Sequence, residues 1–238
     1  MKASHWIGFF ALFLCCGILF SSFLYTWDRR QAPLAANTAE KAAPVIIIDA
    51  GHGGEDGGAT GTNGVLEKDL NLSLCAVLAD LLRGAGYTVV QTRTEDKLLY
   101  DEGTKKGHKK QSDLENRLRY TEQYPNSIFV SIHMNTFPLE SCEGVQVWYS
   151  QNNERSAMLA KQIQDGVKAQ LQPGNNRRIK AATSGIFLLR HAKVPAVLVE
   201  CGFLSTPSEC ERLCDPLYRQ KIALVIFDAI CRNLSASP

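Results

Sequence analysis

Val45-Ile46-Ile47-Ile48-Asp49-Ala50-Gly51-His52 begins with four branched aliphatic residues in a row and ends on a histidine behind a glycine. A continuous β-branched run is what a strand carries when both faces of its sheet are covered, whereas a half-exposed strand alternates. Ile128 to Ile132 and Ala196 to Val199 repeat the pattern, and Tyr87 to Gln91 and Val145 to Tyr149 are expected to be further strands. Between them the spacing changes. Leu70, Leu74, Val77, Leu78, Leu81 and Leu82 recur every three or four residues until Gly84 and Gly86 stop the element, so a helix is expected there. Others are expected over residues 112–124, 154–171 and 217–232. Strands alternating with helices predict an α/β fold with a mostly parallel sheet, formed by one domain over residues 45–238.

Composition sets the limits of what this domain does. The chain has 238 residues, 45% hydrophobic and 21% charged, enough apolar content to bury a core and too much for global disorder. Twenty-six basic residues against 24 acidic leave a net charge of +2, without the strong positive field of a nucleic-acid binder, so no nucleic-acid partner is expected. The eight cysteines include no Cys-x-x-Cys pair, which excludes a zinc ribbon; Cys75 and Cys231 fall on the apolar stripes of expected helices and are read as small buried hydrophobes with a structural role.

The N-terminus departs from that composition. Trp6 to Trp27 is an uncharged apolar run, ~33 Å long as a helix at ~1.5 Å per residue, enough to cross a bilayer. It exceeds the usual apolar core of a secretory signal and lacks a clear Ala-x-Ala cleavage pattern. Residues 1–30 are therefore expected to be an uncleaved signal anchor, and the small, polar, proline-bearing residues 31–44 a tether.

Open α/β sheets place ligands at the carboxyl ends of their strands. His52 follows the first strand, His133 ends Phe129-Val130-Ser131-Ile132, Glu200 ends Ala196-Val197-Leu198-Val199, and Glu67 opens the helix after the first strand. Taken alone, each histidine is more often a hydrogen-bonded core residue than a ligand, Glu67 more often a helix-start charge and Glu200 a salt-bridge partner. Their joint placement at one rim points further. Two imidazoles and a carboxylate from separate elements make a three-ligand zinc set with the fourth position open, the catalytic rather than structural pattern. Glu200 is then the candidate general base and acid. His5, His108 and His191 are not expected to be ligands.

Competing readings are weaker. In Gly51-His52-Gly53-Gly54-Glu55-Asp56-Gly57-Gly58 a dinucleotide fingerprint needs glycine where Asp56 stands, and no Gly-Lys-Ser/Thr follows. Cys201 as a nucleophile with His133 as base conflicts with strand geometry, because Cys201 and Glu200 must point to opposite faces. The lysines between Thr94 and Gln111 are an ordinary solvated face with at most a weak attraction for an anionic polymer.

Four motifs in order carry a resemblance: Val45 through Ala59, Leu66-Glu67-Lys68-Asp69-Leu70-Asn71-Leu72 with Thr92-Arg93, Phe129-Val130-Ser131-Ile132-His133-Met134-Asn135, and Val199-Glu200-Cys201-Gly202-Phe203-Leu204-Ser205. Together they resemble the zinc-dependent N-acetylmuramoyl-L-alanine amidases of the Amidase_3 type over residues 45–232. The resemblance implies a six-stranded, mostly parallel sheet, Zn2+ held by His52, Glu67 and His133, and Glu200 as the catalytic glutamate. Small size, one N-terminal anchor and the stretch Ser131 to Pro138 are most similar to the CwlD-type amidases of spore-forming bacteria, which implies action on spore-cortex peptidoglycan ahead of muramic lactam formation. It further implies a catalytic domain outside the cytoplasmic membrane and, as in some members, a lipoprotein partner. Ala50, where many members have proline, and Asn126-Ser127, where many have Ala-Asp, depart from the pattern at positions that are not ligands. A zinc peptidase or deacetylase acting on another wall amide, and a non-catalytic wall-binding scaffold, are the alternatives. An intact Glu200 argues against the scaffold, which needs no base.

Overall fold

The computed structural model describes residues 43–139 and 141–235. The expected anchor, and all of the tether before Ala43, lie outside the described residues. Among the described residues no helix is long and apolar enough to cross a membrane.

The elements follow in the order β1 (Val45–Ala50), α1 (Glu67–Gly84), β2 (Val89–Gln91), α2 (Lys109–Gln123), β3 (Ser127–Asn135), β4 (Gln146–Tyr149), α3 (Arg155–Gln170), β5 (Lys180–Ala181), α4 (Phe187–His191), β6 (Ala196–Phe203), α5 (Pro207–Cys214) and α6 (Pro216–Ser235). The six strands form one sheet in the order β2-β1-β3-β6-β4-β5. β1 pairs in parallel with β2 and β3, β3 with β6, and β4 with β5. The β4–β6 pairing is antiparallel, so the sheet is mixed, though mostly parallel as the sequence predicts. The cause is local. A parallel neighbour needs a long crossover, usually helical, and the chain between β3 and β4 supplies only a loop, so β4 runs back down beside β6.

Side-chain alternation divides the core into two. Ile46, Ile48, Val130, Ile132, Val197 and Val199 face α1, α3 and α6, where Leu74, Leu78, Ile163, Ile226 and Ile230 cover them completely. Ile47, Phe129, Ala196 and Leu198 face the other way, onto Leu188 and Leu189 of α4 and Leu114 and Leu118 of α2. Because direction alternates with a period of two, Asp49, Ser131, His133 and Glu200 belong to this second face. The register aligns them, pairing Asp49 with Ser131 and His133 with Glu200. Towards the carboxyl rim that face therefore changes from apolar to polar, and the chemistry begins there.

Cys75 is buried, as expected, but Cys231 is only partly buried; Cys201 and Cys210 are buried, Cys142 and Cys214 partly buried, and all six are free.

Candidate active site

Each site residue is placed by the element before it. β1 ends at Ala50, and the chain then turns sharply at His52, whose φ of 62° is the one positive value among the described non-glycine residues. Two buried arginines hold that turn. Arg117 of α2 donates to the carbonyls of Ala50 (2.6 Å) and His52 (2.7 Å) and pairs with Asp49 at 2.7 Å, while Arg93 donates to Ala50 (2.9 Å) and Gly51 (3.0 Å). Asp49 also accepts from Thr92 Oγ1 and Ser131 Oγ. Burial pushes its carboxyl up, yet Arg117 and the two hydroxyls outweigh this and hold it below the usual carboxylate range.

Glu67 opens α1 and is buried. Its Oε1 lies 3.3 Å from His52 Nε2 and 2.9 Å from His133 Nδ1, and also accepts from Met134 N at 3.0 Å; Oε2 accepts from Ala59 N at 2.8 Å. Burial opposes ionisation, but the two imidazoles outweigh it and hold the Glu67 carboxyl far below its ordinary range. The rings of His52 and His133 meet edge to face, centroids 5.0 Å apart. Asp56 Oδ1 lies 3.0 Å from His52 Nδ1, so the far side of this imidazole is anchored by a carboxylate. Burial alone would lower the His52 pKa; Glu67 and Asp56 together raise it.

The three sequence-predicted ligands thus converge, with one donor atom from each of His52, Glu67 and His133 all within 4.8 Å of one another. A tetrahedral zinc with bonds of about 2.1 Å sets neighbouring ligand atoms roughly 3.4 Å apart, close to the 2.9 and 3.3 Å found here. The donor set, two imidazoles and one ionised carboxylate, suits a divalent cation of zinc's character. The residues fit the group.

Glu200 lies opposite His133 across the β3–β6 register and borders the same cavity, about 240 Å³ in volume, with His52 and His133. Its Oε2 is buried and has no hydrogen-bond partner among the described residues. Burial pushes the Glu200 carboxyl up to about 7, with His133 pulling the other way. Ile186, Phe187 and Leu188 form an apolar wall of the cavity, and Lys110 stands at its mouth. Cys201, next along the strand, is fully buried on the opposite face, and burial keeps its thiol well above the usual range, which removes the nucleophile alternative. His191 is exposed, bonded to Phe187 O and outside the cavity lining; His108 precedes α2 on the surface; His5 lies outside the described residues.

Gly51 and Gly58 let the parts approach. A Cβ at Gly51 would stand 2.2 Å from His133 Cε1, and one at Gly58, where φ is 67°, 2.5 Å from Glu67 Oε2. Gly51→Ala is therefore expected to keep the fold but swing the His133 ring aside, weakening metal binding by about 10- to 100-fold, the scale of a disturbed ligand orientation. Unchanged zinc affinity in a competition titration would contradict this reading of the glycine.

This fold and constellation define a class of hydrolase, and residues 46–232 match the N-acetylmuramoyl-L-alanine amidase family, Amidase_3. The chain belongs to that family and is an N-acetylmuramoyl-L-alanine amidase. It is 34% identical over 235 residues to the germination-specific N-acetylmuramoyl-L-alanine amidase of Bacillus subtilis, covering 97% of this chain and 95% of that one. Among solved structures it is similar to the CwlD amidase from Clostridioides difficile, determined in complex with the GerS lipoprotein, with a TM-score of 0.78 and 38% identity over 82% of this chain and 100% of that one. The amidase AmiC2 of Nostoc punctiforme aligns with a TM-score of 0.69 and 27% identity over 81% of this chain and 98% of that one.

Proposed function

We propose that this amidase is zinc-dependent, with His52, Glu67 and His133 as the ligands and Glu200 as the general base and acid, and that it removes stem peptides from spore-cortex peptidoglycan. The observation that carries this is the convergence of the three ligand atoms beside a buried carboxylate oxygen, that of Glu200, that has no hydrogen-bond partner among the described residues. The bond cleaved is the amide between the lactyl carbonyl of N-acetylmuramic acid and L-alanine. A bound zinc ion supplies a Lewis acid, polarising the carbonyl and making water a better nucleophile near neutral pH.

The chain's own residues do the rest. The Glu200 carboxylate takes a proton from the attacking water and delivers it to the departing nitrogen of L-alanine, so the amide leaves as a neutral amine. A carboxyl with a pKa raised by burial is suited to both halves of that transfer. Asp56 holds the far nitrogen of His52, keeping its Nε2 turned towards Glu67. The apolar wall at Ile186 to Leu188 excludes water from one side of the scissile bond.

The cortex assignment is supported by the germination-specific relative, and a lipoprotein partner by the complex in which the C. difficile enzyme was solved. Residues 1–30 are proposed to anchor the enzyme, residues 31–44 to tether it, and residues 45–238 to act outside the cytoplasmic membrane. Digestion of purified peptidoglycan by the full chain, followed by mass spectrometry, tests the reaction. Free N-terminal L-alanine on released peptides and peptide-free muramic acid are expected; cleavage at another amide, or deacetylated sugar, would favour a peptidase or a deacetylase.

A further inference from the structure

Arg93 is 2% exposed, and among the described residues it forms no ion pair. Its donors go instead to backbone carbonyls: Nε to Ala50 O at 2.9 Å, Nη2 to Gly51 O at 3.0 Å and to Lys68 O at 2.8 Å, and Nη1 to Glu95 O at 3.2 Å. Burial and the adjacent Arg117 both hold its pKa below the ordinary guanidinium value. A buried cation beside a second cation, bonded directly only to carbonyls and attracted by Asp49 and Asp96 without an ion pair to either, is an expensive way to fill space; an apolar side chain would serve packing better. What the guanidinium gains is the relative position of those carbonyls. Ala50 and Gly51 immediately precede His52, and Lys68 immediately follows Glu67.

We propose that Arg93 is a positioning residue for the metal ligands, a single planar fork that ties the turn carrying His52 to the first turn of the helix carrying Glu67. This rests on the reading of His52, Glu67 and His133 as ligands. Two observations show why such a tie is needed. His52 occupies left-handed backbone, a conformation that a non-glycine residue keeps only when its surroundings enforce it. In addition, β1 and α1 are joined by a loop of 16 residues, 51–66, much of it glycine, and besides the loop's own bonds and the neutral Asn71 Nδ2 bond to Gly51 O at 3.2 Å, Arg93 is the charged group that joins the two ends. Arg117 grips the same turn at Ala50 and His52, but its remaining bonds go to Asp49 and Asp113, so it does not reach α1. Arg93 alone among these two spans both ligand-bearing segments. Lysine cannot replace it, because an ammonium offers its donors from one point and cannot meet four carbonyls placed around a fork.

The test compares the full chain with Arg93→Lys, Arg93→Gln and a destabilised control, Leu82→Ala, whose buried side chain lies in the core beneath α1. Zinc affinity is measured by competition with a chromophoric chelator, Co2+ visible absorption reports ligand geometry, and Tm reports stability. Both Arg93 variants are expected to bind zinc about 10- to 100-fold more weakly and to give an altered Co2+ spectrum, the scale known for residues that orient ligands. Leu82→Ala is expected to lose Tm while keeping affinity and spectrum. Wild-type affinity and spectrum in Arg93→Lys would overturn the proposal. So would equal weakening in Leu82→Ala, or failure of both Arg93 variants to fold, since either would make Arg93 a residue of the fold alone. A wild-type chain that binds neither zinc nor Co2+ would instead overturn the ligand assignment beneath it.

Discussion

Glu200→Gln is expected to bind zinc as tightly as the wild-type chain and to hydrolyse muramoyl-alanine substrate about 10²- to 10⁴-fold more slowly, the usual share of acid–base catalysis. The amide has the size and reach of the carboxyl but cannot accept the water's proton. Glu200 contributes no atom to the three-atom cluster, and its Oε2 has no partner among the described residues to lose, so folding and metal binding have no reason to change. KM should change little and kcat should carry the loss, which separates a base from a residue that grips substrate. Near-wild-type turnover with zinc still bound would remove Glu200 from the mechanism. Glu55, the next acidic residue near the turn, is exposed and paired with Lys109 at 2.9 Å, which makes it a poor substitute.

Glu67→Gln is expected to behave differently, losing metal and rate together. The Glu67 carboxylate lies against both imidazoles and accepts two backbone N–H groups, and a carboxamide offers one oxygen for those positions and no charge. Its NH2 must then face a donor or an imidazole nitrogen. Removing the only anionic member of the set is expected to weaken zinc binding by more than ~100-fold, beyond the 10- to 100-fold range for residues that merely orient ligands. Elemental analysis after dialysis, beside an activity assay with added zinc, checks this. A variant that retains stoichiometric zinc would show that Glu67 orients the histidines and is not itself a ligand.

Much of this was legible because strand ends are punctuated. The runs before His52, His133 and Glu200 are unmistakably buried strands, and in an α/β fold their ends share a rim, so three distant residues could be brought together from pattern alone. The period-two rule also separated Glu200 from Cys201 correctly. Supports of the site were less visible. Arg117 stands in a helix of mostly polar residues, and its partner Asp49 is 68 residues away, so it looks like part of a solvated face; its burial is a tertiary fact. Asp56 served in the sequence only to exclude a dinucleotide loop, yet it holds His52. A carboxylate four residues after a candidate histidine was the available signal.

Short elements also escaped. β5 has two residues and α4 five, too few for any periodicity to register, and α5 begins at Pro207 just after a strand end. Helix α2 begins at Lys109, three residues before the expected Ser112, because Lys109 and Lys110 carry no apolar signal and instead reach Glu55 and Asp56 beside the His52 turn. The antiparallel β4 had a signal that could have been used: no helical pattern lies between Asn135 and Gln146, and without a crossover the strand must reverse.

The claim that one cation is held by His52, Glu67 and His133 beside Glu200 has a direct test in crystals of the zinc-loaded protein, through anomalous diffraction on either side of the zinc absorption edge. The account predicts one strong peak within bonding distance, about 2.0–2.2 Å, of a nitrogen from each histidine and an oxygen of Glu67, with Glu200 outside that distance. A peak elsewhere, a peak bound through Glu200, or no peak in a crystal of fully active enzyme would contradict it.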